Sequence, residues 1–298
     1  AAGTITAGGT LGILIPPSIM LVVMGPILNV PVTDLFAAAI MPGLMLAALY
    51  TGYTLIRCHL NPSLGPVVPE DLIPDSMREV WIEFFKGLVP PVLLVGSSLG
   101  SILGGLATPT EGAAMGAVGS IFLTLAYGKL NFKVFQEALL KTLEITTLIM
   151  ILVCASNFFG SVFSRLGTPT MITEALMVLD LPPTVILLIV MALIFLLAWP
   201  LEWVPIVLII IPIVLPLIEQ LGFNLTWFGI LVAVNLQTAW LSPPVALSAY
   251  FLKGVAPEWD LADIYKGMMQ FMAIQVVGLA LIIIFPQIVL WLPTYLYG

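Results

Sequence analysis

Charge is what this chain most lacks. Asp, Glu, Lys and Arg together make up 8% of its 298 residues, while 60% are hydrophobic, a usage far outside that of soluble domains. Mean hydropathy is +1.16, so a soluble fold is excluded and an all-α integral membrane protein is indicated. Histidine occurs once, at His59 in a polar stretch, which excludes histidine-based catalysis or metal binding within the membrane. The two cysteines, Cys58 and Cys154, stand in different settings and make no disulfide framework. An intramembrane hydrolase or transferase needs a nucleophile and base, paired aspartates or metal ligands in its apolar segments. None of the six aspartates falls inside a charge-free run and the histidine is in a loop, so the chain does not read as an enzyme, and with a net charge of −7 no nucleic-acid partner is expected. The opening AAGTITAGGTLGIL has no initiator methionine, basic stretch or small-residue cleavage site, and so does not read as a signal peptide. It leads directly into a broken helix, and upstream sequence is expected.

What fills the chain is apolar sequence, in charge-free runs at 1–33, 35–56, 87–110, 112–128, 145–164, 181–201, 203–218, 220–252 and 267–298. Most reach the roughly 20 residues a spanning helix requires, and the two shorter ones read as re-entrant or tilted. Two proline pairs fall inside these runs: Pro16-Pro17 in ITAGGTLGILIPPSIMLVV and Pro243-Pro244 in LVAVNLQTAWLSPPVALSAYFL. Proline removes a backbone donor and clashes with the carbonyl one turn earlier, so each pair frees peptide groups where no water can meet them. Such a break survives only where it lines a cavity. Thr6, Gly8, Gly9, Thr10 and Gly12 precede the first pair, and Asn235, Gln237, Thr238 and Ser242 precede the second. Oxygen-rich broken helices are where secondary transporters hold small cations and substrate carboxylates.

The runs predict helices near 3–25, 33–57, 86–106, 110–127 and 144–164, a hairpin across 183–219, a broken helix at 226–254 and a last helix at 269–295. Basic residues mark the cytoplasmic loops of membrane proteins. Under this scheme Arg57, Arg78, Lys86, Lys129, Lys133, Lys141, Lys253 and Lys266 share one side, leaving Arg165 opposite. That side is therefore expected to be cytoplasmic, and Trp291, Tyr295 and Tyr297 belong to the outer aromatic belt. The scheme requires the hairpin to enter and leave by the outer face, with its tip at Trp199 to Pro205. Its arms of about 15 residues rise only about 22 Å, too little to span comfortably. The alternative is a Pro-kinked pair of full crossings, which moves Lys253 and Lys266 outside. Between helices, His59 to Gly87 is acidic and proline-rich at first and amphipathic later, with Trp81, Phe84 and Phe85 suited to an interfacial helix. Leu130 to Glu144 and Trp259 to Met268 read as two more interfacial helices, either arms bracing a scaffold or plain loop helices.

Hairpin and following break form one unit, and the first break stands alone with the opposite direction through the membrane. Opposed units of this kind are what inverted repeats demand. The sequence also resembles, over essentially its whole length, the large membrane (M) subunit of tripartite ATP-independent periplasmic (TRAP) transporters. The matching stretches are Gly9–Ser18 (GTLGILIPPS), Gly104–Gly116 (GGLATPTEGAAMG), Leu201–Pro216 (LEWVPIVLIIIPIVLP) and Asn235–Pro244 (NLQTAWLSPP). Four such stretches in order and spacing are a strong signal where one proline pair is a weak one. The long loop after Arg57 is similar to the family's long-loop branch.

The resemblance implies an elevator-type fold with inverted repeats, in which re-entrant hairpins and Pro-Pro-broken helices move against a scaffold. It implies sodium-coupled uptake of a small carboxylate-bearing solute, with Na+ as coupling ion and no cofactor. The implied partners are a small membrane (Q) subunit, a periplasmic substrate-binding protein and the lipid bilayer, in the bacterial inner membrane. A binding-protein-independent sodium-coupled carrier of a related elevator family is the alternative. The resemblance also implies that the family's N-terminal helices and first hairpin are expected upstream of this chain. The chain divides into a broken helix of the transport domain (1–25), mainly scaffold with amphipathic arms (26–182), hairpin and second broken helix of the transport domain (183–256), and an interfacial and a C-terminal helix (257–298).

Sodium is a hard cation that takes oxygen ligands, which unwound carbonyls and nearby hydroxyls supply without added charge. The candidate ligands are Gly9, Thr10 and Gly12 at one site, and Asn235, Thr238 and Ser242 with the carbonyls near Leu201 and Glu202 at the other. Pro16, Pro17, Pro243 and Pro244 are the breaks. Gly8-Gly9 stands where the family often has serines, and Ser242 where threonine is usual, so the first site rests more on carbonyls. Each hydroxyl has the competing role of a back-bond to its own helix, and each glycine that of close helix packing. Glu202 either completes a cation site, carries a coupled proton or caps the hairpin's second arm. Glu111 in TPTEG invites the same choice. With no arginine inside a predicted span, the residues binding substrate are unknown at this level, and hairpin-end dipoles are expected to do part of that work.

Overall fold

A computed structural model of the chain describes residues 1–66, 76–243 and 246–298. The acidic part of the long loop at 67–75, and Pro244 of the second proline pair, lie outside the described residues. Among the described residues every regular element is a helix. We number them α1 (Ala2–Leu14), α2 (Ile19–Leu28), α3 (Val32–Leu60), α4 (Met77–Leu103), α5 (Pro109–Ala126), α6 (Phe132–Arg165) and α7 (Thr168–Met177). There follow α8 (Pro183–Ala198), α9 (Trp203–Gln220), α10 (Leu225–Leu241), α11 (Leu247–Val255), α12 (Leu261–Ile284) and α13 (Gln287–Tyr297). Five of them, α3, α4, α6, α9 and α12, are long and apolar enough to cross a membrane, and α1 with α2, bent by 42°, make a sixth such span. The protein is a multi-pass membrane protein.

Several boundaries differ from the sequence expectation. The three interfacial segments are not separate helices. Trp81, Phe84 and Phe85 belong to the first turns of α4, Phe132 opens the 34-residue α6, and Tyr265 to Met268 lie within α12. An amphipathic pattern changes into an apolar one without a helix stop between them, and the backbone has no reason to break there. The last helix, by contrast, ends at Ile284 and restarts at Gln287, because Pro286 cannot donate to the carbonyl one turn earlier. Helix α7 had no counterpart in the expected scheme. Gly167, at φ 73, turns the chain after α6, and Pro169 occupies the first turn that follows, where a missing N–H costs nothing. The hairpin arms also differ: α8 has 16 residues, but α9 has 18 and is by length and composition able to cross. Arm length therefore supports a re-entrant hairpin only for α8.

The described residues form two compact units, one of Ala1–Gly52 with Thr147–Gly298, the other of Tyr53–Thr146. In the second, α4 and α5 lie together, with Ser98 Oγ donating to the Gly112 carbonyl at 2.6 Å and the Tyr127 hydroxyl donating to the Lys86 carbonyl at 2.7 Å. Helix α5 starts on a capping box. The Thr108 amide donates to a Glu111 carboxylate oxygen at 2.8 Å, and the Glu111 amide to Thr108 Oγ1 at 3.3 Å. Two of the orphan donors of a helix start are met in this way, so Glu111 is a cap.

The first unit is built around α10, whose residues from Trp227 to Leu241 are almost all buried. A helix with no charged residue and apolar side chains all round its first half sits at the centre, and α1, α2, α8, α11, α12 and α13 surround it. Trp227 Nε1 donates to the Ile282 carbonyl at 3.1 Å, holding α10 to α12. Helix α1 runs closest along α12. There Gly3 meets Gly267 backbone to backbone: a Cβ added at Gly3 would stand 2.6 Å from the Gly267 carbonyl carbon. Two small residues allow the approach that intramembrane helices use in place of a hydrophobic driving force.

Candidate functional site

Both helix breaks use the same device. Pro16 and Pro17 lack amide hydrogens, so the carbonyls four residues earlier, Gly12 and Ile13, lose their helical donors. Ser18 follows the pair and caps α2, its Oγ donating back to the Ile13 carbonyl and accepting from the Leu21 amide. The Pro16-Pro17 bond is cis. At the second break the corresponding carbonyls are Ala239 and Trp240. The Ser242 amide donates to Ala239 at 3.3 Å, and the Ser248 hydroxyl, from the first turn of α11, donates to Trp240. In each break a serine past the prolines meets the carbonyl orphaned by the second one. Gly12 carries the carbonyl that Pro16 leaves without its amide.

The second set of candidate residues is brought together. Asn235, Thr238 and Ser242 lie on one face of α10, all buried. Thr238 Oγ1 donates to the Asn235 carbonyl at 2.5 Å and Ser242 Oγ to the Thr238 carbonyl at 2.6 Å, so both make the back-bond to their own helix. A hydroxyl that donates keeps lone pairs to offer a cation. Asn235 Nδ2 donates to the Met191 carbonyl of α8 at 2.8 Å, tying this face to the hairpin's first arm. Its Oδ1 is buried without a partner.

Sequence reasoning missed Gln275. From α12 this fully buried amide donates through Nε2 to Gln237 Oε1 at 2.8 Å and to the Val234 carbonyl at 3.1 Å. Gln275 Oε1 and Gln237 Nε2 have no partner. A buried polar atom left unmet costs ~1–3 kcal/mol, and three occur here, Asn235 Oδ1 on a residue bonded towards α8 and Gln275 Oε1 and Gln237 Nε2 in the pair that joins α10 to α12. Two of the three are neutral oxygens, the ligand type a hard monovalent cation takes. An amide in an otherwise apolar run was the signal available in the sequence.

The first set is divided by its helix. Thr10 is fully buried and donates to the Ala7 carbonyl at 2.8 Å, whereas Gly9 and Gly12 are on the exposed face of α1. A Cβ added at Gly8, Gly9 or Gly12 meets nothing within 4 Å. Among the described residues, none packs closely on these glycines. Gly9, Thr10 and Thr6 border a cavity of about 350 Å³ whose other wall includes Trp240, Ser248 and Phe251. Residues of both breaks thus face one space, and Gly12 is not among its lining. Leu201 and Glu202 lie in the turn between α8 and α9. The Leu201 amide donates to the Leu197 carbonyl at 3.1 Å, while Glu202 holds the N-cap position of α9 with an exposed side chain that makes no capping bond. Among the described residues no hydrogen bond joins either to the row on α10.

Residues 1–288 match the family described as tripartite ATP-independent periplasmic transporter, DctM component. The chain belongs to that family. This TRAP large permease is 28% identical, over the whole of its length and 68% of the relative's, to the sialic acid TRAP transporter large permease of Vibrio cholerae. It is 30% identical to the C4-dicarboxylate TRAP transporter large permease of Pseudomonas aeruginosa, across 99% of the chain and 67% of that protein. It is 26% identical to the 2,3-diketo-L-gulonate TRAP transporter large permease of Escherichia coli, across 97% of the chain and 67% of that protein. Two of the four stretches that carried the resemblance form the structural breaks in this TRAP permease: GTLGILIPPS closes α1 and opens α2, and NLQTAWLSPP closes α10.

Proposed function

We propose that this permease couples sodium entry to uptake of a small carboxylate-bearing solute across the bacterial inner membrane. A periplasmic binding protein delivers the solute and a small membrane subunit completes the complex. The observation that carries the sodium reading is that two buried amide oxygens on and against α10, Asn235 Oδ1 and Gln275 Oε1, are left unmet. Neutral oxygens in a buried setting suit a monovalent cation that must be bound and then released. Sialic acid, C4-dicarboxylates and 2,3-diketogulonate, for which the relatives are named, all carry a carboxylate, and the solute class is taken from this shared chemistry.

The mechanism we favour is an elevator. The broken helix at 1–25 and residues 183–256 move as a transport domain against a scaffold drawn mainly from 26–182, with 257–298 closing the chain. The shared serine device at the two breaks supports an inverted repeat, and the eight basic residues gathered on one side by the expected topology support a cytoplasmic location for that side. Glu202, free of a capping bond, remains a candidate for the cation site or a coupled proton.

The experiment is uptake of radiolabelled succinate and sialic acid into proteoliposomes holding the complete permease complex, with and without a sodium gradient and the soluble binding protein. Uptake is expected only when both are supplied. Uptake that runs equally well without the binding protein would make the permease a stand-alone carrier, and uptake indifferent to sodium would remove the coupling ion.

A further inference from the structure

Arg165 was set aside at the sequence level as the one basic residue on the outer side. It is the last residue of α6, and it borders a cleft of about 610 Å³ between the C-terminal half of α6, the start of α7 and the second arm of the hairpin. The polar groups at that cleft are Ser156, Asn157, Ser161, Ser164 and Thr170 together with Arg165, and no carboxylate lines it. Among the described residues, Arg165 takes part in none of the ion pairs, which join Lys133 to Glu137, Lys141 to Glu144 and Lys266 to Asp263. A guanidinium in a cleft lined by hydroxyls, and by no carboxylate among the described residues, is set up for an external anion, and its planar fork fits a carboxylate.

Two further observations point the same way. Helix α7 begins three residues after Arg165 without a side-chain cap, and its first turn brings Pro169 and Thr170 to the cleft; an uncapped helix start favours an anion. One turn on, Thr173 is 3% exposed and its hydroxyl has no partner. It borders an adjoining cavity of about 210 Å³ that shares Thr170 and Pro216 with the cleft, and Glu174 lines only this smaller one. The opposite wall is mobile by our functional reading. Leu208 and Ile209, which line the cleft, lie in a π-helical stretch of α9 spanning Ile206–Ile210, a geometry frequent at functional sites.

We propose that this cleft binds the carboxylate of the transported solute, with Arg165 as its charged partner and the start of α7 and Thr170 as further donors. This rests on the uptake function proposed above and gives it a substrate-binding residue. Bound there, the solute touches a helix outside the proposed transport domain on one side and the hairpin arm on the other.

Direct binding tests the site without requiring uptake. Thermal unfolding of the purified intact protein in detergent is followed with sodium succinate or sodium sialate, against sodium chloride at equal ionic strength. At least one of the two is expected to stabilise the wild type. Arg165→Gln is expected to raise its half-saturating concentration roughly tenfold or more, with Arg165→Lys recovering part of the loss. Thr170→Val, which keeps the helix and removes one donor, is expected to weaken binding less, and it carries the test should Arg165→Gln not fold. Unchanged half-saturation in both folded variants overturns the proposal, and so does a wild type that neither anion stabilises. Phosphatidylglycerol is titrated in parallel. If Arg165→Gln loses the response to that lipid and keeps the response to carboxylate, the cleft holds a headgroup and the assignment is wrong. Carboxylate binding that depends on Arg165, in a protein whose uptake ignores sodium and the binding protein, leaves the site standing and removes the proposed coupling.

Discussion

Gly3→Ala is expected to reduce sharply the yield of folded protein and to lower its unfolding temperature, although alanine is the better helix former. The added methyl would stand 2.6 Å from the Gly267 carbonyl carbon and 2.8 Å from Phe271 Cδ2. The phenyl edge can shift, but the carbonyl belongs to α12 and moves only if the helices separate. Overpacking of this kind costs ~1–3 kcal/mol, and here it acts along the longest contact α1 makes. Gly8→Ala is the internal control. It lies in the same helix with open space around its Cβ, and removal of glycine's extra backbone freedom is expected to stabilise by ~0.5–1 kcal/mol. Opposite signs for two identical substitutions five residues apart are the outcome expected in a thermal-unfolding series in detergent. A tolerated Gly3→Ala would mean that α1 does not pack on α12 through this pair.

How much of this was legible beforehand depended on the range of the physics involved. The breaks were legible because proline acts on carbonyls four residues away, and α1 and α10 do end just before Pro16 and Pro243. Glu111 was legible for the same reason: Thr-x-x-Glu is a local exchange of hydrogen bonds. The glycine contact was not, since the sequence gives no sign that Gly3 and Gly267 face each other. Gln275 was visible as a polar residue in an apolar run, but its meaning came only with Gln237 and Val234 across the helix pair. Of Gly9, Thr10 and Gly12, the first two line one cavity and Gly12 does not, a division that comes from rotation, because neighbours along a helix point about 100° apart. Nor could composition show that α6 and α7 meet the hairpin arm at Arg165.

The two breaks differ in a way that bears on coupling. At the first, the hydroxyls of Thr6 and Thr10 return to their own helix and the glycines face open space. At the second, buried amides from two helices are left with unmet oxygens. The carbonyl left unmet at the first break, that of Gly12, is on an exposed residue, whereas the unmet oxygens at the second are buried, so the second break is expected to hold sodium more tightly.

Thr238→Val is therefore expected to raise the sodium concentration at half-maximal uptake by roughly tenfold or more, the equivalent of ~1.4 kcal/mol of lost binding. Valine keeps the branched shape and volume of threonine and removes Oγ1, whose bond to the Asn235 carbonyl is worth only ~1 kcal/mol net. Folded yield should consequently fall little, which separates loss of a ligand from loss of the fold. Thr238→Ser restores the hydroxyl and should bring the sodium dependence back towards wild type, while Gln275→Met, which removes an unmet oxygen at similar volume, should shift it in the same direction as valine. The measurement is initial uptake rate against sodium concentration at saturating solute, on protein shown to be monodisperse. If half-saturation in folded Thr238→Val matches wild type, the hydroxyl serves only its own helix and sodium is bound elsewhere. If Gln275→Met alone shifts it, the ligand set lies on the α12 side of the cluster, among the amides, and the α10 row is packing.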